Sequence, residues 1–372
     1  MKLLMLNSMC DVLSSDGTHI FVDNQNGQYI RVKKSPELDC IISVLRTGVF
    51  TEQDVWEKNK QENLNYAMAK KILEFLAKKG IMESREFPDI DDYHVLNDYA
   101  IPEMYYNKRF GQIISWLSTF ESSTETRFEL FERIKNLRIL FVGLGALGSH
   151  LAVLCAATGI GNIVLVDGDK VKMENLTRQI YYKESQDGKC YKTHALKQFL
   201  VEMNSEIQVT TYEEYINNSS TIEKIIRKEN IDLVIQTADT PQGSIDRYVT
   251  CACVKSETAV LCAHYGNIGP FFIPHESACF LCLEKHNNKK SNNIYEMVVN
   301  LYRDLPSTPS PSYPAGTLLS AHYMYDEIIR FVSKVHKPFL VNSYYELHGL
   351  KGVKKVGFQK DPLCECNGAL EK

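Results

Sequence analysis

Arg138-Ile-Leu-Phe-Val-Gly-Leu-Gly-Ala-Leu-Gly148 decides the fold of this 372-residue chain. Arg138–Val142 reads as a buried strand, Gly143–Gly148 as a tight turn and Ser149–Thr158 as a helix. A strand, a Gly-x-Gly-x-x-Gly turn and a helix together form a nucleotide cradle. Gly143 permits the sharp turn, Gly145 lets a phosphate approach the backbone, and Gly148 lets the helix pack on the strand. The helix N-terminus offers unpaired N–H groups and a partial positive charge to an anion.

Outward from this turn, Asn162–Val166 is the next strand, and further strands are expected at 207–211, 232–236 and 258–262 with helices between them. Alternating β and α segments predict an α/β, doubly wound, mostly parallel sheet of Rossmann type. Asp167 ends the second strand, 24 residues beyond Gly143, where a carboxylate can accept hydrogen bonds from both ribose hydroxyls. These features alone suit an NAD dehydrogenase as well as an ATP enzyme. The next segment shifts the balance. Asn175, Arg178 and Gln179 follow the aspartate, and Lys189 and Lys192 come after them. That much positive charge serves no purpose in a dehydrogenase, but a triphosphate with a pyrophosphate leaving group requires it. Asp239, in Val-Ile-Gln-Thr-Ala-Asp-Thr-Pro241, follows another apolar strand at the carboxyl edge of the sheet. There it can hold Mg²⁺ against phosphates, or cap a helix.

Upstream, residues 1–95 read as a winged-helix-like α+β module. His19–Asp23 and Gln28–Lys33 are β-prone, helical patterns follow near 36–47, 51–60 and 63–79, and Ile81–Arg85 can return as a strand. Residues 96–136 are expected to be linker and helical arm, with a helix near 107–120, and 137–372 to be the nucleotide domain. The stretch 287–314, rich in Asn, Lys, Ser and Pro, is expected to be a mobile crossover loop that orders over the substrate, or a disordered one. With 44% hydrophobic and 24% charged residues the composition is ordinary, and a net charge of -4 advertises no nucleic acid. No segment is long and apolar enough to predict a membrane span, and the N-terminal apolar run is too short for a signal peptide.

Eleven cysteines, an odd number, fit a reducing compartment, so the protein is expected in the cytoplasm. Cys10, Cys40, Cys155 and Cys262 read as buried thiols. Cys279-Phe-Leu-Cys282 is a knuckle suited to Zn²⁺, which Cys364-Glu-Cys366 can complete; the alternative is a redox pair or two unrelated pairs of thiols.

The glycine loop, the Leu-Val-Asp-Gly-Asp of 165–169, the Asn-Leu-Thr-Arg-Gln of 175–179, a lysine and the Thr-Ala-Asp of 237–239 together resemble the ThiF-like family, bacterial relatives of ubiquitin-activating enzymes. Thr-Ala-Asp-Thr-Pro and Tyr-Gly-Asn-Ile-Gly-Pro-Phe-Phe-Ile-Pro are most similar to its peptide-modifying branch, that of the microcin C adenylyltransferase and the pantocin A maturation enzyme. The resemblance implies a ThiF-type fold, with Asp167 on the ribose, Arg178 and Lys192 on the triphosphate and Mg²⁺ on Asp239. It implies a homodimer, and an N-terminal module that grips a leader peptide by adding it as a strand. Two features depart from the family pattern. Arg109 matches the first arginine of a family Arg-Tyr-x-Arg element, one of whose arginines reaches into the partner's site, but Gln112 replaces the second. Arg178 and Lys192 lie one residue further apart than usual, which makes Lys189 a rival. The absence of cysteine between 283 and 363 argues against a thioester relay. The expected activity is adenylation of a peptide carboxylate, C-terminal or Glu/Asp side chain, with release of pyrophosphate and then attack by a peptide nucleophile. The rival readings are a sulfur-carrier-protein adenylyltransferase, a non-catalytic partner that presents a leader peptide, and an NAD oxidoreductase.

Overall fold

The structure is a computed structural model. It describes the whole chain except residues 1, 8–9, 24–26, 48–49, 87–92, 97–98, 103–108, 121–124, 265, 305–312, 348–351, 365 and 367–372. The chain divides into two compact units, Met1–Phe131 and Glu132–Lys372.

The first unit opens with β1 (Lys2–Leu6), β2 (Cys10–Ser15), β3 (Thr18–Asp23) and β4 (Gln28–Lys33). Then come α1 (Pro36–Thr47), β5 (Phe50–Thr51), α2 (Glu52–Gln61), α3 (Tyr66–Lys78) and β6 (Met82–Glu86). β2, β3 and β4 form an antiparallel meander with β4 at its edge, and β1 lies between β5 and β6 in a second antiparallel sheet. The Asp16-Gly17 turn suits the two-residue hairpin between β2 and β3, since Gly17 has φ +72°. Thr51 and Asp54 form a capping box on α2, and Asn65 caps α3. Leu38, Ile41 and Leu45 of α1 are buried with Val55, Leu73, Leu76, Phe21 and Leu4 in one core. Sequence patterning located the three helices, β3, β4 and β6 but missed β1 and β2. Cys10, at the start of β2, is only half-buried, whereas Cys40, Cys155 and Cys262 are buried as expected. Across the expected boundary between module and linker, β7 (Tyr93–Leu96) and β8 (Tyr99–Pro102) pair antiparallel, and α4 (Gly111–Leu117) follows. The division between the units falls inside α5 (Arg127–Asn136).

The second unit contains β9 (Arg138–Val142), α6 (Ala146–Thr158), β10 (Asn162–Val166), α7 (Lys192–Met203), β11 (Gln208–Tyr212) and α8 (Ser219–Glu229). β12 (Leu233–Gln236), α9 (Ile245–Lys255), β13 (Ala259–His264), β14 (Asn267–Phe272), α10 (Phe280–Lys290) and α11 (Ile294–Asp304) follow. α12 (Pro314–Ser333), β15 (Ser343–Leu347) and β16 (Val353–Gly357) complete it. The sheet order is β11-β10-β9-β12-β13-β14-β15-β16, parallel from β11 to β13 and antiparallel beyond. Among the parallel strands β9 and β12 are buried along nearly their whole length, as expected for a sheet covered on both faces. Chain order reverses between β9 and β12, so a crevice opens at their carboxyl ends, where ligands of such sheets bind. Helix α6 begins at Ala146, three residues before the expected Ser149. The expected loop at 287–314 is instead the end of α10 followed by α11, with Pro314 in the first turn of α12; Pro306, Pro309 and Pro311 lie outside the described residues. Among the described residues, no helix is long and apolar enough to cross a membrane.

Candidate active site

The crevice floor is the turn between β9 and α6. Gly143 has φ +90°, and a Cβ there would meet the backbone of Ala238 at 2.6 Å. A Cβ on Gly148 would stand 2.1 Å from the carbonyl oxygen of Gly143. The fold itself therefore demands both glycines. Gly145 differs, because its Cβ would meet nothing nearer than the Gln179 amide nitrogen at 3.9 Å. Gly145 is also the N-cap of α6 and supplies no side-chain acceptor, which leaves the helix's first N–H groups facing the crevice. The open space and uncapped donors fit a phosphate.

Asp167 secures this turn. Its carboxylate accepts the Leu144 N–H at 2.7 Å and the Asp169 N–H at 2.8 Å. Burial pushes its carboxyl up, while Lys192 and the two N–H groups pull the other way. Each oxygen keeps a lone pair for a ligand hydroxyl. The buried Tyr182 hydroxyl donates to the Leu144 carbonyl at 2.8 Å and clamps the turn from the other side.

The cationic segment folds over this floor. Asn175 and Gln179 are buried, and their side-chain carbonyl oxygens have no hydrogen-bond partner. An orphaned amide of this kind costs about 1–3 kcal/mol, which a ligand can recover, and an amide can present either of its ends. Lys192, at the start of α7, is buried and donates to the Asp169 carboxylate at 2.8 Å; its charge also acts on Asp167 and Asp239. Burial opposes ionisation of Asp169, but Lys192 and the Tyr215 hydroxyl, which donates at 2.8 Å, hold its carboxyl below the usual range. The Asp169 bond in turn pushes the Tyr215 hydroxyl up to about 12. Lys189 lies exposed in the preceding turn. The structure thus brings Lys192 to the acids and leaves Lys189 outside. Arg178 is half-buried, donates to the Glu174 carbonyl at 3.1 Å and acts electrostatically on Asp239.

Asp239 closes the crevice on the β12 side. Helix α9 begins at Ile245 with Ser244 as its N-cap, so Asp239 is not a helix cap. Its side chain opens to solvent, yet enough protein surrounds it that burial, then the charge of Asp246, pushes its carboxyl up; Lys192, Arg178 and His264 oppose the rise. A carboxylate poised between cations beside a phosphate cradle is the kind of partial ligand set that Mg²⁺ completes with phosphates and water. Arg109 belongs to the first unit, exposed just before α4.

Cys279, Cys282, Cys364 and Cys366 are all buried, and their sulfurs lie within 4.8 Å of one another. The closest approaches are 3.5, 3.6 and 3.9 Å. Four thiolates about 2.3 Å from one tetrahedral Zn²⁺ need S–S separations of about 3.8 Å. Cys279 and Cys282 open α10, while Cys364 and Cys366 arrive from the tail beyond β16. The Asp361 N–H donates to the Cys282 sulfur at 3.4 Å.

Sequence reading missed Asp169, Tyr182, Tyr215 and the hydrogen-bonded pair of buried Asp246 and half-buried His264. Asp169 was legible as the second acid of Asp167-Gly-Asp169. Tyr182, Tyr215, Asp246 and His264 carry no local signature.

A family model described as the ThiF family matches residues 122–366. The chain is 31% identical over 172 residues to ubiquitin-like modifier-activating enzyme 5 of Dictyostelium discoideum, covering 41% of this chain and 43% of that protein. It is 27% identical over 166 residues to the sulfur carrier protein ThiS adenylyltransferase of Escherichia coli K12, covering 44% and 64%. It therefore spans less than two-thirds of the length of these curated relatives. Among solved structures, E. coli MccB with ATP superposes with TM-score 0.67 at 20% identity, over 98% of this chain and 99% of that one. The microcin C7 biosynthetic enzyme MccB in complex with N-formylated MccA matches with TM-score 0.67 at 20% identity, over 99% and 100%.

Proposed function

The chain belongs to the ThiF family, and from that premise we propose that it adenylates a carboxylate of a ribosomally made precursor peptide. The carboxylate, from the C-terminus or from a Glu or Asp side chain, attacks the α-phosphate of ATP, and pyrophosphate leaves. Arg178 and Lys192 neutralise the leaving charge, Asp167 holds the ribose, and Asn175 and Gln179 line the phosphate path. Asp239 would hold Mg²⁺, which supplies charge neutralisation at the phosphates. No protein nucleophile is needed, so positioning and electrostatics provide the rate. A peptide nucleophile then attacks the acyl carbon and forms a ring or crosslink as AMP leaves, or attacks the phosphorus and forms a nucleotidyl linkage as the carboxylate leaves. The four cysteines would hold a structural Zn²⁺. The reading includes a cytoplasmic homodimer paired through the sheet unit.

What carries this reading is the extent of the likeness. MccB, solved in complex with its peptide MccA, matches 99% of this chain, first unit included, whereas the ThiS adenylyltransferase matches 44%. In that first unit, a groove that crosses the meander and the residues after α3 is lined by Cys10, Phe21, Tyr29, Ile30, Lys79 and Ile81, and β4 ends the meander as an edge strand. An extended peptide can add there as a fourth strand.

The test is ATP–pyrophosphate exchange with two kinds of substrate, synthetic peptides copied from any short reading frames that neighbour this chain's gene and a Gly-Gly-ended sulfur carrier. Exchange with a peptide alone is the expected result. Exchange with the carrier alone assigns the sulfur-carrier activity instead, and exchange with neither assigns the non-catalytic role.

A further inference from the structure

Four residues outside the phosphate site form a hydrogen-bonded chain along its β12–β13 edge. Gln236, fully buried, donates through Nε2 to the Ala238 carbonyl at 2.8 Å and to Asp246 Oδ1 at 3.1 Å. Asp246 is buried, and its Oδ2 lies 2.7 Å from His264 Nδ1. His264 Nε2 lies 3.2 Å from the hydroxyl of Tyr295, which is half-buried on α11. His264 ends β13, and β12 and β13 run parallel with Gln236 level with Cys262. Two residues further along each strand stand Ala238, which precedes Asp239, and His264. The imidazole is therefore at the same sheet edge as Asp239, and the two interact electrostatically.

The hydrogen bonds fix the tautomer. In the neutral imidazole a carboxylate at Nδ1 keeps the proton there, which leaves Nε2 to accept the Tyr295 O–H. An imidazole oriented by a buried acid, with its other nitrogen facing a hydroxyl, is the arrangement of a general base.

The chemistry says which step needs one. The carboxylate that attacks ATP is already ionised, so adenylation transfers no proton. The nucleophile that attacks the acyl-adenylate carries a proton it must lose. We propose that His264, oriented by Asp246 and acting through the Tyr295 hydroxyl, is the base for that second, acyl-transfer step, an inference that rests on the adenylation reading. The nucleophile X–H forms a bond to the acyl carbon, and the carbon–oxygen bond to AMP breaks with its electron pair leaving on AMP. The proton of X–H passes to the Tyr295 oxygen as the Tyr295 proton passes to His264 Nε2. The charged groups facing His264 are Asp246 on α9, Glu284 on α10, itself paired with Arg247 at 2.7 Å, and Asp239.

The test uses full-length His264→Gln and Tyr295→Phe with Mg·ATP and the peptide that supports pyrophosphate exchange in wild type. Hydroxylamine captures an acyl-adenylate as a hydroxamate without a protein base, so it reports the first step alone. The expected result is hydroxamate formation within about threefold of wild type in both variants, with the natural product falling about 10²-fold or more. Natural product formation within threefold of wild type in either folded variant overturns the assignment, and so does an equal loss of hydroxamate and product. Should His264→Gln fail to fold, Tyr295→Phe, which removes one oxygen from a half-exposed ring, decides alone. Wild type that yields no hydroxamate fails the adenylation reading instead, and the base assignment falls with it.

Discussion

Gly145 and Gly148 stand in one turn for opposite reasons. A methyl on Gly148 strikes the Gly143 carbonyl at 2.1 Å, whereas one on Gly145 enters open space. Gly148→Ala should cost about 1–3 kcal/mol by overpacking, read as a lower midpoint in thermal unfolding. Gly145→Ala should leave that midpoint unchanged and weaken ATP binding by about tenfold or more in calorimetry, because its methyl stands where a phosphate approaches. The lysines also divide. Lys192→Ala should lower pyrophosphate exchange by about 10²-fold or more, while the exposed Lys189→Ala changes it little. Asp239 makes a pH-dependent case. Its carboxyl titrates above the ordinary range, so the folded chain holds that proton more tightly than the unfolded chain does. Its stabilising share is full below the ordinary carboxylate pKa and is lost as pH rises through the raised value. Asp239→Asn should therefore melt higher than wild type at neutral pH without nucleotide, the gap closing on acidification, while losing exchange activity. Equal melting at both pH values would refute that reading. The glycines, Asp167, Asn175, Arg178, Gln179 and Asp239 were legible as a set because each follows a strand end or a motif spacing. The choice of Lys192 over Lys189 was not, because it depends on the short turn that leads into α7.

At the scale of elements, the parallel strands were readable because buried strands are continuous apolar runs, as in Arg138–Val142 and Asn162–Val166. β1 was not, because its partner β6 lies some 80 residues away and nothing local marks the pairing. α11 is instructive. Ile294, Met297, Val298 and Leu301 recur at helical spacing, but the Asn and Pro on either side outweighed that signal in the sequence. The start of α6 was misplaced because Ala146 and Leu147 are helix formers hidden inside the glycine motif. The cysteine cluster joins two elements, the start of α10 and the tail. The purified chain should contain about one zinc per chain by mass spectrometry, and Cys282→Ser should abolish it. It should also make the tail beyond β16 a protease target. A metal-free wild type with an equally resistant tail would refute the zinc assignment.

For the whole molecule, the doubly wound sheet explains why residues from 143 to 264 meet at one edge: every parallel strand delivers its following residue to the same side. The sequence made the second unit legible in outline and the first only as strands followed by helices. The hydrogen-bonded chain from Gln236 to Tyr295 was invisible, because its members come from β12, α9, β13 and α11. The central claim is that a peptide carboxylate attacks the α-phosphate of ATP. Isotope transfer tests it most directly. With a peptide whose carboxylates carry ¹⁸O, the released AMP should gain one ¹⁸O atom and the pyrophosphate none. Label in inorganic phosphate with ADP as the co-product, or in neither fragment, would contradict it.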